Sequence, residues 1–82
     1  MKKLYTNRRK RDMTCYIIGN ENGDRTRTIK QHDKFWVDDT EPLGPQHNHR
    51  SRVIGYYIQN GLPIKATFSK YAVKNYCTEL TE

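Results

Sequence analysis

The sequence has few aliphatic residues and no long hydrophobic run. Leu, Ile, Val and Phe together make up 15 of its 82 residues, and the longest apolar stretch covers only residues 15–19. A helix that crosses a bilayer needs roughly 20 consecutive apolar residues, and a secretory signal needs an apolar segment of about 7–15 after its basic start. We therefore expect an intracellular, cytoplasmic protein that does not enter a membrane.

The sequence also lacks the short motifs that mark metal, phosphate and redox sites. Its two cysteines, Cys15 and Cys77, form no Cys-x-x-Cys pair, and it contains no Gly-Lys-Ser or Gly-Lys-Thr string. Such cysteines in a reducing compartment are usually small buried hydrophobes. His47 and His49 form a His-x-His pair, but a tetrahedral zinc site needs four converging ligands, and no spacing here enforces that. We expect no metal and no cofactor.

Three carboxylates follow a predicted strand, which is where metal-dependent nucleases often carry acidic residues. They are Asp38, Asp39 and Glu41. Catalysis requires such groups to converge in a pocket, and a chain of 82 residues rarely encloses one. We interpret the cluster as a solvated turn and expect no enzymatic activity.

Aromatic residues compensate for the shortage of aliphatic ones. The chain has one Trp, two Phe and six Tyr, and each aromatic side chain buries more area than an aliphatic one. An aromatic core of this kind offsets the entropy lost on folding. We therefore expect one small globular domain over residues 13–82.

Positive charge is concentrated at the N-terminus. Of the fifteen basic residues, six precede Asp12, whereas the remaining nine are balanced by nine acids. Mutual repulsion and the absence of an apolar pattern predict a flexible, disordered basic arm over residues 1–12. A block of cations of this kind displaces counterions from phosphates, which points to a polyanionic partner. Its cations are Lys2, Lys3, Arg8, Arg9, Lys10 and Arg11.

Alternating strand-forming residues predict five short strands, the clearest of which form two hairpins. Asn60-Gly61 joins the last two strands and is the strongest two-residue hairpin signal known from sequence. A turn rich in Asn and Gly at residues 20–24 joins the first two. A long loop at residues 40–51 contains Pro and Gly but no apolar pattern. The predicted strands cover residues 14–18, 25–29, 34–37, 52–59 and 62–68.

A closing helix is predicted at residues 70–80, with Ser69 as its N-cap. The fold class is therefore α+β and mainly β: a small five-stranded twisted sheet or SH3-like barrel with a C-terminal helix and a disordered arm. At the level of topology alone this resembles SH3-like, Tudor and Sm-like architectures. The alternative is winged-helix-like, because Val53, Ile54, Tyr57 and Ile58 also suit an amphipathic helix.

The leading functional hypothesis is a non-enzymatic nucleic-acid-binding accessory protein. The basic arm would contact phosphates. Arg25 and Arg27 on one β-strand, with Tyr16 on the neighbouring β-strand, would form a sheet face that orients the bound nucleic acid. RNA or single-stranded DNA suits an open sheet best.

The alternative is a small protein-interaction module that acts as an inhibitor or modulator of a larger enzyme or complex, a class that many viruses encode. It would dock through Trp36, Tyr56, His47 and His49, because Trp and Tyr concentrate binding energy at interfaces. An acidic protein surface is then the partner that the basic arm favours. The sequence does not indicate an oligomeric state.

Overall fold

The computed structural model describes residues 2–19, 23–43 and 50–80, which form one antiparallel sheet and one short helix. Seven strands lie across the sheet in the order β3-β2-β6-β5-β4-β1-β7, and the sheet is not closed into a barrel. The fold is therefore small and mainly β, as predicted, but the barrel prediction is wrong. In chain order the elements are β1 (Lys2–Asn7), β2 (Met13–Ile17), β3 (Thr26–Ile29), β4 (Lys34–Asp38), β5 (Arg52–Gln59), β6 (Leu62–Ser69), α1 (Lys70–Tyr76) and β7 (Cys77–Glu79).

Both predicted hairpins are present. Strands β2 and β3 pair antiparallel, and β5 pairs with β6 along its full length, from Arg52 opposite Ser69 to Gln59 opposite Leu62. Asn60 and Gly61 both have positive φ, at 52° and 81°, as the two central residues of a type I′ turn require. The strand interpretation of residues 52–59 is confirmed, and the winged-helix alternative is wrong.

The prediction of a disordered N-terminal arm is wrong for Lys2–Asn7, which forms β1 and pairs with β4 on one side and β7 on the other. Successive side chains of a strand point to opposite faces of the sheet, so Lys2 and Lys3 are separated and their repulsion is reduced. The residues between the basic clusters favour strand structure; they are Leu4, Tyr5 and Thr6.

The C-terminal helix is shorter than predicted. It begins as expected, with the Ser69 hydroxyl accepting a hydrogen bond from the Ala72 amide at 3.2 Å, but it ends at Tyr76. Cys77–Glu79 then pairs with β1 as a seventh strand, because β1 offers a free edge of backbone donors and acceptors that the expected arm would not have supplied. Within the described residues, no helix is long and apolar enough to span a membrane.

The core lies on one face of the curled sheet, which we call the core face; the other is the outer face. Its centre is a stack of Phe35 and Phe68, whose ring centroids are 4.8 Å apart. These residues lie on strands that flank β5, and they meet across Gly55, where a Cβ atom would lie 2.7 Å from the Phe68 ring and collide with the Trp36 carbonyl. The other core residues are Met13, Cys15, Ile17, Ile29, Val37, Val53, Ala66, Val73 and Cys77.

Candidate functional site

The turn between β1 and β2, residues 8–12, carries four consecutive cations and is held in place by the side chain of Asn7. Asn7 is fully buried. Its Nδ2 donates to the Ile29 carbonyl at 3.1 Å and to the Arg11 carbonyl at 3.0 Å, while its Oδ1 accepts from the Arg9 amide at 3.0 Å. Three hydrogen bonds to a buried amide fix a turn better than a surface contact does. The cations are therefore presented by an ordered backbone.

The first two cations of this turn pack against the C-terminal end of α1. The Arg8 amide donates to the Tyr76 carbonyl at 3.1 Å, and Arg8 Nη2 donates to the Asn75 carbonyl at 2.9 Å. The Arg9 guanidinium carbon lies 3.6 Å from the centroid of the Tyr76 ring. Cations are favourable at this end of a helix because the last carbonyls are unpaired and carry partial negative charge.

These contacts leave the turn with a net positive charge, because it contains four cations and one acid, Asp12. None of the four cations at residues 8–11 forms an ion pair with a carboxylate of the described residues. Lys10, Arg11 and Lys74 are exposed, and α1 contains no acidic residue. The turn contacts α1 at Asn75 and Tyr76. We call the cations of these two adjoining elements the basic patch, and its members are Arg8, Arg9, Lys10, Arg11, Lys70 and Lys74.

An exposed aromatic ring adjoins the basic patch. Tyr71 is 65% exposed and makes an edge contact with Tyr76 at 5.6 Å between centroids, so Arg9, Tyr76 and Tyr71 form a continuous series of contacts. Tyr71 is not among the residues predicted for the site, because the apolar spacing of α1 identifies only its packing face. The signal for Tyr71 is an aromatic residue that falls outside that apolar spacing.

The Arg/Tyr sheet face expected from sequence is arranged differently. Tyr16 lies opposite Thr26, and because side chains alternate along a strand, Arg27 projects from the other face of the sheet. Arg25 is exposed just before β3. The cation near Tyr16 is instead Arg52, whose guanidinium carbon lies 5.0 Å from the ring centroid. A role for Tyr16, Arg25 and Arg27 in binding stays a prediction.

The two described residues of the alternative interaction site are neighbours on the outer face. Trp36 lies opposite Tyr56, and both are half-buried. The Tyr56 hydroxyl donates to a Glu41 carboxylate oxygen at 2.8 Å, and Lys65 forms an ion pair with the same carboxylate. Both partners lower the pKa of Glu41, and Lys65 has the larger effect. Lys2 lies over the Tyr56 ring at 4.4 Å.

The described part of the chain contains no group of three or more His, Cys, Asp or Glu residues that could hold a metal ion. His47 and His49 lie outside the described residues. Cys15 and Cys77 are both buried free thiols, and burial raises the pKa of each to about 11. Both are therefore protonated at neutral pH, which makes them poor nucleophiles and poor metal ligands.

Among the three clustered carboxylates, Asp38 has a clear structural role. Its Oδ1 accepts from the Thr40 hydroxyl at 2.6 Å and the Thr40 amide at 3.1 Å. These hydrogen bonds lower the pKa of Asp38 to about 2. The carboxylate stabilises the turn that follows β4, as its position at a strand end suggests.

Comparison of the chain with protein-family models, with curated proteins and with solved structures finds no match. We therefore infer the function from the geometry of the chain itself.

Proposed function

We propose that this protein binds nucleic acid without catalysing a reaction, and that the basic patch contacts the phosphate backbone. The observation that supports this most is the four consecutive cations at residues 8–11, which are held by the fold yet have no carboxylate partner among the described residues. Their interactions with carbonyl groups and with the Tyr76 ring fix positions without neutralising charge.

Preorganised cations are better suited to phosphate binding than a flexible tail of the same composition. Arg8 and Arg9 lose little side-chain freedom on binding because the Asn75 carbonyl and the Tyr76 ring already restrain them, and lost side-chain freedom is a main cost of association. The exposed ring of Tyr71 supplies a surface on which a base can stack.

The test is salt-dependent binding to labelled single-stranded RNA, single-stranded DNA and duplex DNA. Contacts to three or four phosphates predict a slope of about −2 to −4 in a plot of log affinity against log salt, with micromolar affinity. The triple variant Lys10→Gln, Arg11→Gln, Lys74→Gln is expected to bind about tenfold more weakly and to reduce the slope by about 2.

A charge-matched control is Lys30→Gln, Lys34→Gln, Arg50→Gln, which removes three exposed cations outside the basic patch. We expect less than about a threefold effect from it, since non-specific charge alone contributes weakly beyond a Debye length. Equal losses in both triples would show that the basic patch is not the binding site. Affinities weaker than millimolar for all three nucleic acids at low salt would exclude the proposed function.

The second candidate is the protein-interaction module. It is favoured by one observation: Leu4, Trp36 and Tyr56 lie side by side across β1, β4 and β5 on the outer face. Clustered aromatic and aliphatic side chains of this kind are typical binding hot spots. This function takes precedence if no nucleic acid binds in the salt experiment.

A further inference from the structure

A cavity of about 460 Å³ opens between α1 and the core face of the sheet. Its lining includes the buried side chains of Val37, Val53 and Val73 together with the ring of Tyr5. The cavity exists because α1, with seven residues, covers only part of the core face. Its volume falls in the range of about 300–1,000 Å³ that is typical of ligand sites in proteins.

Lysines dominate the charged groups that line this cavity. Lys3, Lys70 and Lys74 contribute to it together with two acids, Asp39 and Glu79, and Lys3 forms an ion pair with Glu79 at 3.9 Å. Lys70 and Lys74 also belong to the basic patch, so the mouth of the cavity adjoins the surface proposed to bind phosphates. An apolar interior beside a cationic rim is complementary to a ligand with a flat apolar part and an anionic part.

Tyr5 adds a polar group to an otherwise apolar lining. Its ring stacks on Phe35 at 6.1 Å between centroids, which fixes its orientation. Its hydroxyl makes no hydrogen bond to any residue that the structure describes. Burial is the main cause that raises the pKa of Tyr5, and the negative charge of the nearby Glu79 raises it further. The hydroxyl is therefore protonated at neutral pH and can donate a hydrogen bond.

We propose that this cavity accepts one unstacked base of a single-stranded nucleic acid whose backbone lies on the basic patch. The apolar walls would contact the faces of the base, the Tyr5 hydroxyl would donate to a base acceptor, and Lys74 would contact a flanking phosphate. This inference depends on the proposed function and narrows it to single strands, because a base inside a duplex is stacked and paired and must be flipped out before it enters a pocket.

The test compares three labelled probes of equal length by fluorescence anisotropy: a single-stranded oligothymidylate, an abasic strand with the same phosphates, and a duplex. We expect the abasic strand to bind about tenfold more weakly than the oligothymidylate, which is in the range for one stacked base. Val73→Phe fills the cavity and is expected to remove this difference while leaving the affinity for the abasic strand unchanged.

Two further variants control for effects on folding. Tyr5→Phe keeps the stack on Phe35 and removes only the hydroxyl, and it is expected to reduce oligothymidylate binding about threefold with no change for the abasic strand. Leu62→Phe adds the same ring at a residue that is 64% exposed and does not line the cavity, and it should leave all three affinities unchanged.

The outcomes separate this inference from the proposed function. Equal binding of the abasic strand and the oligothymidylate, or a difference that persists in both Val73→Phe and Tyr5→Phe, would overturn the base-binding cavity while leaving phosphate binding intact. Failure of every probe to bind would overturn both.

Discussion

One buried side chain, Asn7, determines where the cations of the basic turn lie. It bonds to backbone groups of Arg9, Arg11 and Ile29 and so connects the end of β1 with the turn and with β3. A buried amide with all its hydrogen bonds satisfied specifies a single arrangement of the chain, whereas an apolar residue of similar size would leave these backbone groups without partners.

Replacement of Asn7 by Ala is therefore expected to lower the free energy of unfolding by about 2–4 kcal/mol, because each buried group left unsatisfied costs about 1–3 kcal/mol. Urea denaturation measures this. Asn75→Ala is the matched control: its Nδ2 also donates to a carbonyl, that of Tyr71 at 2.9 Å, but on an exposed helix surface. We expect a change within about 0.5 kcal/mol there, and similar losses in the two variants would contradict the role assigned to Asn7.

Among the elements, β1 contributes most to the position of the site and was the hardest to predict. It lies between β4 and β7, and the turn that follows it carries the basic patch. If residues 2–7 belonged to a disordered arm, as composition suggests, their deletion would leave stability unchanged. Because they form an internal strand, we expect the deleted protein to lose cooperative thermal unfolding as measured by circular dichroism.

The double variant Lys2→Gln, Lys3→Gln distinguishes the role of the strand from that of its charge. It keeps the backbone hydrogen bonds of β1 and removes two exposed or half-exposed cations, so we expect the melting temperature to change by only a few degrees. A double variant that destabilises the protein as much as the deletion does would show that charge, and not strand pairing, accounts for the contribution of residues 2–7.

The elements that sequence predicted correctly are those with local signals. The β5–β6 hairpin follows from Asn60-Gly61, and the start of α1 follows from Ser69, since a turn or a cap depends on a few adjacent residues. Strands β1 and β7 have no such signal. Each is short and is stabilised by partners distant in sequence, as in the pairing of Tyr5 with Glu79, and non-local pairing overrides what composition alone suggests.

The candidate site also combines features that are local in sequence with features that depend on the fold. The cations of residues 8–11 were identified from charge alone, because a run of like charges is visible without a fold. Tyr71 and the cavity beside α1 could not be identified in this way. The exposure of Tyr71 and the presence of the cavity depend on how far the helix extends and on which face of the sheet it covers. The ending of α1 at Tyr76 leaves part of the core face open, and β1 brings Tyr5 to that opening.

At the scale of the whole molecule, the formal net charge of +6 is unevenly distributed, and folding brings the charged turn and the lysines of α1 together. Concentrating like charges in this way opposes the compact state through self-repulsion. Salt ions that screen these charges, or an anionic ligand that neutralises them, should therefore stabilise the folded protein. In this way the free energy of unfolding is linked to binding of the proposed nucleic-acid ligand.

Salt is therefore expected to stabilise the free protein. The Debye length falls from about 30 Å at 0.01 M ionic strength to about 8 Å at 0.15 M, which weakens the repulsion within the basic patch. We expect a gain of about 0.5–1 kcal/mol over this range, or roughly 2–8 °C in melting temperature for a domain of this size. The triple variant at Lys10, Arg11 and Lys74 should lose most of the salt response, while the control triple at Lys30, Lys34 and Arg50 should keep it. Identical salt responses in the two variants would mean that repulsion is spread over the whole surface and is not concentrated where the turn meets α1.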